Sequence, residues 1–190
     1  ITNHYYLKGC LDLYLTEDIN THRDYLSVGE KDMTPEDAIV SFMESFDGEF
    51  EMQDLRERFP NIEEYVFLNY VYGEEENGLL FSAEKTFIYF DKLNIRQESI
   101  DELRSFVEKQ FEASESVIIS ARKVYAILSI RNKQLLQQLH LTHGYYTLFS
   151  VIRYCFMDDY YFRRPLISKE PIEGGRYAII RNHAERLDSF

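Results

Sequence analysis

Along residues 97–169, apolar positions recur first at helical and then at strand spacing. Ile100, Leu103, Phe106 and Val107, continued by Gln110, fall near a 3.6-residue period. They predict a helix capped by Ser99 and running to about Phe111. Val117-Ile118-Ile119 is short, β-branched and bounded by polar residues, so it reads as a strand. Ser120 can cap a second helix with Val124, Ile127 and Leu128 inward. Lys133 to Leu139 is a short helix. Thr142 can cap a longer one through Phe156, its hydroxyl accepting from backbone N–H groups two or three residues on. After a turn at Asp158-Asp159, Tyr160-Tyr161-Phe162 reads as a strand, and Arg163 to Ile167 continues or pairs with it. Residues 33–95 follow the order less tightly. They predict a helix over 35–46, a short strand at Phe50, and helices near Met52–Phe59 and Ile62–Tyr72. A hairpin of Leu79–Ser82 and Thr86–Phe90 follows.

The chain also repeats itself. At an offset of 140, Thr2 meets Thr142, Tyr5-Tyr6 meets Tyr145-Tyr146, Tyr14 meets Tyr154, Asp18 meets Asp158, Arg23 meets Arg163 and Leu26 meets Leu166. The same offset sets Ala38-Ile39-Val40 on Ala178-Ile179-Ile180. At an offset of 64, Asp37 meets Asp101, Ser41 meets Ser105, Phe42 meets Phe106 and Glu44 meets Glu108. Four units result. Residues 1–28 are the C-terminal part of one, 33–95 and 97–169 are two complete ones, and 173–190 are the N-terminal part of another. The first residue is Ile1 and the last, Phe190, falls inside a periodic segment, so the chain reads as a piece of a longer protein.

Strand, three helices, strand and strand, with a tight turn at His140-Leu141-Thr142 before the last helix, is the order of a winged-helix domain. The fold class expected is mainly α with small β-hairpins, in tandem winged-helix (helix-turn-helix) repeats, the 79–90 hairpin being a candidate wing. Two end-of-unit segments carry a family likeness. One is Ile1-Thr2-Asn3-His4-Tyr5-Tyr6-Leu7-Lys8-Gly9 with Arg23-Asp24-Tyr25-Leu26-Ser27. The other is Leu141-Thr142-His143-Gly144-Tyr145-Tyr146 with Arg163-Arg164-Pro165-Leu166. With them the chain resembles the large bacterial proteins built from tandem winged-helix or helix-turn-helix units, similar to the DNA-binding region of sigma factors. The resemblance implies DNA binding and a role in transcription regulation. In the second unit Asn61-Ile62-Glu63-Glu64-Tyr65 replaces the Thr–Tyr–Tyr pattern, which argues against DNA contact there.

Composition narrows the picture. The 190 residues are 45% hydrophobic, which is enough for a packed core and argues against disorder. No run approaches the roughly 18 apolar residues of a membrane span. Two cysteines, Cys10 and Cys155, cannot build a disulfide framework, which fits a reducing, cytoplasmic setting. The net charge of −12 is unevenly spread: −3 over residues 1–30, −14 over 31–115 and +5 over 116–190. The middle would repel a nucleic-acid backbone, and the last third could approach one.

The DNA reading puts the N-terminal part of the third helix in the major groove. In the third unit that means Thr142, His143, Tyr145, Tyr146 and Thr147 on base edges, with Arg153 farther along. Arg122, Lys123, Arg131, Lys133, Arg163 and Arg164 would hold phosphates. In the first partial unit the equivalents are Thr2, Asn3, His4, Tyr6, Lys8 and Arg23. The tyrosines suit helix packing as readily as base contact, and a recurrent Arg suits an internal ion pair as readily as a phosphate. Double-stranded DNA is the first expected partner. A protein partner of the acidic middle unit is the alternative, in which the winged-helix modules serve as an interaction scaffold. No membrane partner, cofactor or metal is expected, and catalysis is not. His140 and His143 lack neighbouring ligands at metal spacing, Gly174-Gly175 is not a phosphate loop, and Glu74-Glu75-Glu76 reads as a solvated loop tip.

Overall fold

The first helix among the described residues, α1 (Pro35–Glu44), begins with a reciprocal cap. The Asp37 N–H donates to Thr34 Oγ1 at 3.1 Å and the Thr34 N–H to Asp37 Oδ2 at 3.0 Å, with Pro35 in the first turn. The computed structural model describes residues 19–21, 26–28 and 34–172. After α1 come β3 (Phe50–Glu51), α2 (Met52–Arg58), α3 (Glu64–Gly73), β4 (Leu79–Phe81) and β5 (Thr86–Tyr89). A single 3₁₀ turn over Phe90–Leu93 leads to α4 (Gln97–Ser114) and β6 (Ile118–Ser120). Then follow α5 (Ala121–Arg131), α6 (Lys133–Gln138), α7 (Tyr145–Cys155), β7 (Tyr161–Arg163) and β8 (Leu166–Ser168). Ahead of them, β1 (Ile19–Thr21) and β2 (Leu26–Val28) form an antiparallel hairpin. The described residues, 55% helical with small three-stranded antiparallel sheets, form a mixed α/β fold rather than a mainly helical one.

Two expected caps are corrected. Ser99 lies inside α4, which starts two residues earlier, and its buried hydroxyl donates to Gln138 Oε1 at 3.1 Å. Thr142 does not cap α7. The cap is Gly144, whose φ of +62° suits a residue without Cβ, and Tyr125 packs over it. Ser120 does stand at the start of α5, though its hydroxyl makes no capping bond.

The two described units share a sheet topology. The strand order is β3-β5-β4 in the first and β6-β8-β7 in the second, so the strand after the first helix pairs with the last strand of its unit. Phe50, Phe87 and Phe81 form one row across the first sheet. Ile119, Ile167 and Phe162 form the matching row across the second. The helices correspond as well: the offset of 64 sets Ile39 on Leu103 and Met43 on Val107, and all four are fully buried. The β1–β2 hairpin follows the longer offset only in part. Thr21, which falls on Tyr161, pairs with Leu26, whereas Tyr161 pairs with Ser168. The remainder of the expected end units lies outside the described residues.

Each unit has a core, and the β4–β5 hairpin belongs to both. Successive strand residues point to opposite faces. Leu79, Phe81, Phe87 and Tyr89 pack into the first core with Ile39, Met43 and Phe67. Leu80 and Ile88 pack into the second core with Leu148, Ile152 and Phe156. The hairpin expected as a candidate wing is thus buried on both faces. Among the described residues, no helix is long and apolar enough to cross a membrane.

Candidate functional site

The α7 helix carries small polar residues, Thr147 and Ser150, on the face turned toward β4. Both are buried. Ser150 Oγ donates to the Phe81 carbonyl at 2.7 Å and Thr147 Oγ1 to the Ser82 carbonyl at 3.3 Å. As an edge strand of its sheet, β4 has backbone carbonyls that no further strand covers; Ser150 satisfies that of Phe81, and Thr147 that of Ser82 just beyond the strand. A larger side chain at either place would hold the helix off the strand. Farther along α7, the Tyr154 ring lies 4.9 Å from that of Phe90, and its hydroxyl comes within 3.2 Å of where a Cβ on Gly78 would stand. Gly78, at φ +95°, makes that approach possible.

Charged groups ring this apolar centre. The Arg153 guanidinium binds Glu75 through two bonds, 3.0 and 2.6 Å. At the other end, Thr142 Oγ1 donates to Glu49 Oε1 at 2.5 Å, and His143 Nε2 stands 3.2 Å from Glu49 Oε2. Burial pushes the Glu49 carboxyl up. The Thr142 hydrogen bond, the Ser82 hydroxyl and His143 outweigh it, so the proton affinity of the group is lowered from its ordinary value. Arg164 reaches over the junction. Its guanidinium carbon lies 5.7 Å from the Phe81 ring centre, 5.1 Å from Tyr146 and 5.4 Å from Phe149. Burial lowers its proton affinity, and the Tyr146 hydroxyl opposes that.

The expected DNA-reading residues therefore separate into groups. Thr142, His143, Thr147 and Arg153 are engaged with the preceding unit, and Arg164 is half-buried among aromatic rings. Tyr145 and Tyr146 are half-buried with ring centres 4.7 Å apart, and Arg122 donates to the Tyr145 hydroxyl at 3.1 Å. Lys123, Arg131, Lys133 and Arg163 are exposed, the first three on α5 and α6 and the last on β7. Asn3, His4, Lys8 and Arg23, with Thr2 and Tyr6, lie outside the described residues. The acidic loop is corrected too: Glu75 holds Arg153, and Glu74 accepts from Asn77 at 3.2 Å. Phosphate contact by Arg153 would require breaking its pair with Glu75.

No protein-family model matches the chain, and comparison with curated proteins and with solved structures finds no match. The geometry carries the functional argument alone. Burial pushes the Cys155 thiol up to about 11, so it stays protonated near neutrality, as a core side chain does. Among the described residues, no group of three or more His, Cys, Asp or Glu is arranged to hold a metal ion. Sequence reasoning missed the β4–α7 junction and Glu49, Glu75, Phe81 and Ser150 within it. A signal was present. Leu79-Leu80-Phe81 and Phe87-Ile88-Tyr89 are apolar at every position, as in a strand covered on both faces, whereas a wing with one solvated face alternates.

Proposed function

We propose that this chain is a protein-interaction scaffold of tandem winged-helix units, in which the third helix of one unit docks on the hairpin of the unit before it. One observation carries the reading: α7, the helix that would enter a DNA groove, has Thr147, Ser150 and Arg153 committed to β4 and its flanking loop. The winged-helix assignment is supported by the common order of elements and by the strand order first, third, second in both units. The segmental charges agree with it, since the acidic middle and the basic last third meet at this junction through Glu75 and Arg153.

A second reading is DNA binding in transcription regulation, favoured by the exposed Lys123, Arg131 and Lys133. It would hold phosphates on α5 and α6, away from α7. Fluorescence anisotropy of labelled random duplex DNA separates the two. The scaffold expects no binding at micromolar protein, even at low salt. Micromolar binding that weakens steeply with salt, and that Lys123→Glu with Lys133→Glu removes, would replace it with the DNA reading.

A further inference from the structure

The docked pair leaves a helix face and an edge strand exposed among the described residues, although the Tyr72 ring on that helix already lies 5.5 Å from that of Phe81. In the first unit, α3 holds the place that α7 holds in the second. Its Tyr65, Asn69 and Tyr72 lie along one face at helical spacing, and all three are exposed, Tyr65 at 66% and Tyr72 at 58%. In the second unit, β7 holds the place of β4. Both are edge strands, and Phe81 and Phe162 occupy the same row. The residue before each faces away from its own core. Leu80 is buried under α7, while its counterpart Tyr161 is 49% exposed, with Arg163 exposed beside it.

We propose that the α3 face of one chain docks on the outer face of β7 in a second copy of this chain, repeating head to tail the contact of α7 with β4. The proposal rests on the scaffold reading and extends it from within the chain to between chains. Three observations select a second copy as the occupant. First, helix face and edge strand are the two sides of a contact this chain already makes within itself. Second, of the six exposed large hydrophobic side chains among the described residues, three belong to these two surfaces, and all three are tyrosines, a residue enriched in interfaces. Third, the charges are complementary. Exposed Glu63 stands at the start of α3 in the segment of charge −14, Glu64 beside it being held by Arg56 and Lys85, while Arg163 lies on β7 and Lys169 follows β8 in the segment of charge +5. Asn69 can supply the donor that Ser150 supplies to β4. Such a contact joins different surfaces, so it does not close at two copies and propagates as an open chain or a ring.

Sedimentation velocity over a rising concentration series tests this. The 190-residue chain should exceed 22.7 kDa by at least twofold at high concentration and pass beyond the dimer. Tyr65→Lys and Tyr161→Glu, both at exposed positions, should each leave circular dichroism and thermal midpoint unchanged and weaken association at least tenfold. An equimolar mixture of the two variants keeps one intact surface of each kind. It should form a 1:1 dimer and stop there. A wild-type chain that stays monomeric overturns the contact, as does association that neither variant weakens or a mixture that does not pair. These outcomes leave the scaffold reading standing, which falls only to salt-steep duplex binding.

Discussion

Glu49 sits where three chemistries meet: a hydroxyl donor on Thr142, an imidazole on His143 and partial shielding from water. The carboxylate is favoured over the acid in the folded protein, because charged oxygens accept these bonds more strongly than a neutral carboxyl does. Its proton affinity is lower folded than unfolded, so the unfolded chain takes up the proton first as pH falls. The stabilisation is present above the unfolded value and is lost as pH drops through the folded one. Glu49→Gln removes this dependence, since the amide neither titrates nor carries charge for His143. Urea unfolding midpoints of the two proteins should differ most above the free glutamate value of about 4.3 and converge as pH falls progressively below it. A gap that stays constant across that range would mean Glu49 contributes no ionic interaction to the junction.

The two hairpins show how alike elements come to differ. β4 and β7 share a topology and a row position, yet every residue of β4 is buried, while Tyr161 and Arg163 of β7 are exposed. What separates them is a neighbouring helix, which no local propensity encodes. The helices of both units were legible in the sequence because burial alone dictates their period, and Ile39 with Met43 and Leu103 with Val107 are its imprint. The hairpins were legible from short β-branched or aromatic runs between turns. The helix starts were less so: Ser99 and Thr142 are good capping residues, but tertiary contacts took their hydroxyls for Gln138 and Glu49 instead. The junction was harder still, because Thr147 and Ser150 look like a solvated polar stripe until a strand edge is brought to them. Ser150 gives the measurable contrast. Ser150→Ala strands the buried Phe81 carbonyl and should cost about 1–3 kcal/mol in chemical unfolding. Ser129→Ala removes a bond of similar length, 2.8 Å, back to Ala126 within its own helix, and should stay within about 0.5 kcal/mol. Equal losses would deny the docked face any special place in stability.

At the scale of the whole molecule, the shared hairpin decides how the two units behave. Two independent modules on a tether would each open alone, with their own unfolding midpoints. Here Leu80, Ile88 and Leu93 come from the first unit and belong to the core of the second, among Val151, Ile152 and Phe156. Opening the second core therefore uncovers one face of β4–β5, and opening the first uncovers the other. Neither unit can unfold without leaving apolar side chains of its neighbour exposed, at about 25 cal/mol for each Å² of apolar surface. The sequence separation of the two cores is bridged by the few residues from Leu93 to Gln97, so the chain gives them little freedom to part. Leu80→Ala makes the coupling visible. Truncating a fully packed leucine should cost about 2–5 kcal/mol. Because its cavity opens under α7, amide hydrogen exchange should accelerate in α7 and β8 together with β4, within a single unfolding transition. Acceleration confined to residues 34–95, or two resolved transitions, would show that the units fold separately and that their contact is an association between finished modules.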